Sequence, residues 1–83
     1  MTNISLRNYN REIEQMITDG HIQEAIAHCK HILRTFPKHI ETYQLLGKAY
    51  LESGQHSSAA DIFLRVLTVI PDNFVSHIGM SII

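Results

Sequence analysis

Apolar residues recur at helical spacing along most of this 83-residue chain, in short runs that glycine or proline interrupts. One run covers residues 40–53 and has the 3.6-residue period of an amphipathic helix. Gly54 follows it, at a position where helices often end in a residue with positive φ. A second run covers 57–70 and stops at Pro71, because proline disfavours helix at the residue before it. The two runs predict a pair of helices joined by a tight turn.

The preceding part of the chain has the same order of elements in a less regular form. The pattern predicts a helix over 6–19, a turn at Asp19-Gly20 and a second helix over 22–36. The inward face of that second helix is predicted to contain Ala25, Ile26, Cys29, Ile32, Leu33 and Phe36. The pattern starts a third time over 74–83 and predicts a fifth helix, which is mostly apolar and has no Lys, Arg, Asp or Glu.

The sequence repeats with a period of 34 residues, most clearly at residues that interrupt helices. Pro37 and Pro71 are 34 positions apart. The same interval separates Gly20 from Gly54, Ala25 from Ala59, Tyr9 from Tyr43 and Leu33 from Leu67. Gly47 lies inside a predicted helix, where glycine costs about 1 kcal/mol relative to alanine. We therefore expect Gly47 to let the two helices of its pair approach closely.

The second unit resembles the tetratricopeptide repeat at each of the family's characteristic positions, with Tyr in place of the usual Trp. These positions are Tyr43-x-x-Leu46-Gly47-x-x-Tyr50, then Ala59-x-x-x-Phe63, then Pro71. The first unit is a degenerate copy in which Tyr9, Ala25 and Pro37 match. The resemblance implies an all-α, right-handed helix-pair solenoid of about five helices. The repeats would cover 6–39, 40–73 and part of a third over 74–83, within a single segment 1–83 of a longer chain.

The resemblance also implies a binding function, in which the first helix of each pair lines a concave groove that holds a peptide or a partner helix. The residues expected to face this groove are Arg7, Asn10, Glu14, Ile17 and Thr18 in the first unit, Glu41, Gln44, Lys48, Leu51 and Glu52 in the second, and Val75, Ile78 and Ile82 in the third. The alternative is that these positions are simply solvated helix faces. Relatives that grip a terminal carboxylate use cations on the fifth helix, and this chain has none there.

Composition narrows the choice of partner. Seven basic and eight acidic residues give a net charge of −1 with no basic block, which argues against nucleic acid or an anionic membrane surface. Nothing approaches the roughly 18 consecutive apolar residues of a membrane span. A single cysteine and the absence of an apolar N-terminal run suit a reducing compartment, so we expect a cytoplasmic protein.

The residues that could carry chemistry do not converge in the predicted fold. His28 and His31 share one helix with Cys29, but both histidines are expected to point outward while Cys29 points inward, and a zinc site needs about three or four converging ligands. Cys29 occupies a position where the repeat has a buried side chain, and buried cysteine is usually unreactive. We therefore expect no metal, no cofactor and no enzymatic activity.

Two alternatives to a peptide-binding scaffold stay open. The apolar stretch 74–83 would cover the second repeat with one face and leave its other face bare, so it could join two copies of the chain. The segment could also be a regulatory repeat fused to a catalytic domain that is absent from this sequence. We interpret 74–83 as the first helix of a repeat that is cut short.

Overall fold

The structure, a computed structural model, describes residues 6–83 apart from the side chain of Arg7. The described chain forms five α-helices: α1 (Leu6–Thr18), α2 (Ile22–Thr35), α3 (Ile40–Glu52), α4 (His56–Val69) and α5 (Phe74–Ile82). Each observed helix boundary lies within one residue of the predicted one. The prediction of an all-α fold with five helices is confirmed.

The turn between the two helices of each pair contains a glycine, in a backbone conformation that only glycine adopts easily. Gly20 and Gly54 have φ of +90° and +78°. After each glycine the next backbone N–H donates back to the carbonyl five residues earlier, from His21 to Met16 and from Gln55 to Tyr50, both at 2.8 Å. This arrangement is the Schellman motif, which satisfies the carbonyls left free at a helix end.

The turns that follow the second helix of each pair, α2 and α4, each contain a proline. The helices α2 and α4 end at the residues before Phe36 and Ile70, whose backbones turn away with φ of −125° and −127°. Phe36 was predicted to point inward, and this prediction is wrong: its side chain is 50% exposed because the backbone leaves the helix one residue earlier. Asn73 then caps α5, accepting a hydrogen bond from the backbone N–H of Ser76 at 2.8 Å.

The helices lie in two layers with α3 at the centre. Helix α3 contacts every other helix, whereas within the described chain α2 and α4 have no Cα atoms within 8 Å of each other, and neither do α1 and α5. The helices α1, α3 and α5 therefore lie side by side in one layer, and α2 and α4 cover their other side. The core between the layers is continuous from Ile13 to Phe63.

Phe63 is the largest side chain buried almost completely, at 1% exposure. Its ring lies between two glycines: a Cβ added to Gly47 of α3 would be 2.6 Å from Cζ of the ring, and one added to Gly79 of α5 would be 2.5 Å from it. Gly47 was expected to let the two helices of its pair approach closely; the structure shows that it leaves room for a side chain of the other helix of that pair, the Phe63 ring. Gly79 has the same role on the other side of the ring, so Phe63 joins α3, α4 and α5.

Candidate functional site

The layer formed by α1, α3 and α5 carries an open groove of about 600 Å³. Ten of the predicted groove residues line it, contributed by all three helices. They are Asn10, Glu14, Glu41, Gln44, Lys48, Leu51, Glu52, Val75, Ile78 and Ile82. Successive helices of one layer present the same register positions to the same side, which is why residues 34 apart come together here.

Three predicted groove residues are not in this group. Ile17 is only 5% exposed and packs in the core, so its placement at the groove was wrong: it points between the layers together with Ile13. Thr18 is exposed beyond the groove, and its hydroxyl donates to the backbone carbonyl of Glu14 at 3.1 Å. The side chain of Arg7 lies outside the described residues.

Four further residues line the groove that were not predicted to face it. Arg11, Leu45 and Gly79 are successive members of a single register position, 34 residues apart, so the repeat itself could have identified them. Phe63 comes from α4, in the other layer, and reaches the groove floor because the two flanking glycines have no side chains in its way. No helical pattern within α4 indicates that contact.

The two ends of the groove differ in chemistry. Charged side chains line it over α1 and α3, where Lys48 Nζ and Glu14 Oε2 are 3.8 Å apart. Both side chains are about half exposed, so this ion pair contributes little to stability. Toward α5 the lining is apolar, with Val75 and Ile78 each 44% exposed. A ligand would therefore meet solvated charges at one end and accessible hydrocarbon at the other.

A chain of polar contacts joins α1 to α3 beside the groove. The Thr42 hydroxyl, which is fully buried, donates to Asn10 Oδ1 at 3.3 Å and lies 2.8 Å from His39 Nδ1. Asn10 Nδ2 in turn donates to Glu41 Oε2 at 3.4 Å. The Thr42 hydroxyl therefore links His39 to Asn10. The carboxylate of Glu41 is thus held at the groove wall by buried groups.

The residues considered for metal binding or catalysis do not form a centre. Among residues 6–83, no group of three or more His, Cys, Asp or Glu side chains could hold a metal ion. His28 was expected to point outward, which is wrong: it is half-buried, and its Nδ1 is hydrogen bonded to the Tyr9 hydroxyl at 2.6 Å. Burial raises the pKa of Cys29 to about 12, so at neutral pH its sulfur is a thiol and not a nucleophilic thiolate.

No helix in the described part of the chain has the length and apolar character required to cross a membrane. No curated protein and no solved structure matches the chain. The family model described as Tetratricopeptide repeat matches residues 16–75, which is well over half of the sequence. Its match agrees with the all-helical structure, the helix pairing and the turns at Gly20 and Gly54. The chain therefore belongs to the tetratricopeptide repeat family.

Proposed function

We propose that this chain is a non-catalytic interaction module that binds a segment of a partner protein in the groove between α1, α3 and α5. Tetratricopeptide repeats generally mediate protein–protein interaction and are generally non-catalytic. The observation that carries the proposal is the groove itself, because one concave surface combines a polar end with exposed apolar side chains on α5. Concave sites of this composition fix a ligand by a few polar contacts and bind it through hydrocarbon.

The bound segment should be amphipathic. Its apolar side chains would pack on Val75 and Ile78, where the lining has no charged group on α5. Its polar side chains would lie over Glu41 and Lys48 of α3, which present both signs of charge. An apolar residue placed at the charged end would desolvate those charges without pairing them, so the direction of the segment in the groove is defined.

Val75→Asp is expected to lower partner binding by about tenfold or more, because a carboxylate would occupy the apolar end of the groove that the ligand must desolvate. The measurement is quantitative capture of proteins from a lysate by the immobilised chain, with titration of any captured partner. Val69→Asp is the matched control: Val69 is 71% exposed on α4, outside the groove. Equal loss of binding in both variants, or in neither, would contradict the groove proposal.

A second candidate function is self-association through the outer face of α5. Of the eight large apolar side chains that are exposed in the described chain, five lie within residues 74–83. Three of these five line the groove, while Phe74, at 74% exposure, and Ile83, at 45%, do not. Exposed apolar side chains on one helix favour contact with another molecule, and the proposed occupant is a second copy of the same helix.

Phe74→Asp is expected to abolish association of the chain, because it places a charge on the most exposed apolar side chain of α5 while the groove lining stays intact. Sedimentation equilibrium over a concentration series measures this directly. Phe36→Asp changes another exposed phenylalanine, on a different surface, and should leave the association constant unchanged. A wild-type chain that sediments as a monomer at its highest soluble concentration would rule out this function.

A further inference from the structure

A second cleft, of about 430 Å³, lies on the face of the molecule opposite the groove. Its two walls are α2 and α4, and its floor is α3. The cleft exists because the two wall helices are spaced apart, with no Cα of one within 8 Å of a Cα of the other. Only the α3 side chains Tyr43, Leu46 and Tyr50 bridge the distance between them.

This cleft collects positive charge from both walls. Lys30 and Arg34 come from α2 and Arg65 from α4, against the single carboxylate of Asp61. The whole chain has a net charge of −1, so an excess of two positive charges here is a local concentration and not a general property. Among the described residues none of these three cations is within 4.0 Å of a carboxylate oxygen, so their charges are not neutralised by ion pairs.

The floor of the cleft adds an aromatic and apolar surface. Lys30 Nζ lies 6.0 Å from the centre of the Tyr50 ring, at the outer limit of a cation–π contact. The Tyr50 hydroxyl has no hydrogen-bond partner in the described chain, unlike that of Tyr43, which donates to the Pro37 carbonyl at 2.8 Å. Tyr50 can therefore donate its proton to an acceptor that enters the cleft.

We propose that this cleft binds an acidic peptide segment of a partner protein, independently of the groove on the opposite face. A carboxylate between the two walls would accept charge-assisted hydrogen bonds from Arg34 and Arg65, whose guanidinium groups match carboxylate geometry. An adjacent apolar side chain of the same peptide would cover Leu46 on the floor. The groove carries the opposite bias, with three carboxylates against two cations, so the two faces select segments of different charge.

The test uses a fluorescein-labelled hexapeptide of alternating glutamate and leucine, followed by fluorescence anisotropy with the full chain. The double variant Arg34→Gln/Arg65→Gln should weaken binding by about tenfold or more, because both charge-assisted contacts are lost. Both arginines are exposed, so the fold should be unaffected, and circular dichroism checks this. Added salt should weaken binding to the wild-type chain as well.

Arg11→Gln is the matched control, since it removes an arginine from the groove and should change the affinity less than twofold. Val75→Asp should likewise leave this peptide bound, which separates failure of the cleft from failure of the groove. Adding the peptide to the wild-type chain should change the amide chemical shifts of residues in α2, α3 and α4. Three results would each overturn the proposal. They are equal weakening by Arg11→Gln, equally tight binding of a hexapeptide in which lysine replaces glutamate, and equally tight binding of an oligothymidylate.

Discussion

Replacing Phe63 with alanine is expected to lower the free energy of unfolding by about 3–5 kcal/mol, the range for truncating a buried phenylalanine. The side chain is 1% exposed and contacts the glycines of two neighbouring helices, so its loss leaves a cavity that α3, α4 and α5 share. A chain of this size has a total stability of only about 4–12 kcal/mol. The loss is therefore a large fraction of the total stability, and the variant should unfold at a markedly lower urea concentration.

Urea denaturation followed by circular dichroism measures this effect, and Phe36→Ala provides the matched control. Phe36 was predicted to be a core residue on the same grounds of helical spacing, yet it is 50% exposed. Its truncation should cost less than about 1 kcal/mol, as for other surface positions. If the two variants lost similar stability, the assignment of Phe63 as the side chain that joins three helices would be wrong.

The positions of the helices could be predicted from the sequence because local chemistry sets them. Gly20 and Gly54 adopt a positive φ that few other residues tolerate, and proline ends α2 and α4 from the following turn. These constraints act between residues that are close in the chain, so they can be recognised from the sequence alone. The exposure of Phe36 shows the limit, since one residue at a helix end decides whether a side chain points in or out.

The groove could be predicted only in part, because it depends on how neighbouring helices are placed. The register of the repeat identified the α3 residues, but it put Ile17 at the surface, whereas the side chain packs in the core and is 5% exposed. The polar contacts do not repeat even where the backbone does. Thr42 bonds Asn10, whereas Ser76, its counterpart 34 residues later, is fully buried with no partner for its hydroxyl in the described chain. Gln44, the counterpart of Asn10, also lines the groove but makes no hydrogen bond to the Ser76 hydroxyl.

Gly79→Ala is expected to destabilise the fold by about 1–3 kcal/mol, although alanine is intrinsically the better helix former by about 1 kcal/mol. The added methyl would meet the Phe63 ring at a distance that real carbon atoms do not adopt. The ring cannot rotate or shift to relieve this contact, because its opposite edge lies against Gly47. We expect Gly47→Ala to have the same sign for the same reason. Thermal and urea denaturation of both variants measure the two losses.

A double-mutant cycle with Phe63→Leu separates this steric cause from any other effect of the glycine. Leucine removes the aromatic carbons Cε and Cζ and keeps only a Cδ on a more flexible side chain, so in the Phe63→Leu background Gly79→Ala should cost much less stability. The coupling energy should therefore be about 1–3 kcal/mol, as for residues in direct contact. If Gly79→Ala lowered the free energy of unfolding equally in both backgrounds, the added methyl would meet the backbone of a helix next to α5 and not the Phe63 ring. The close approach of α3, α4 and α5 around one aromatic side chain would then need a different explanation.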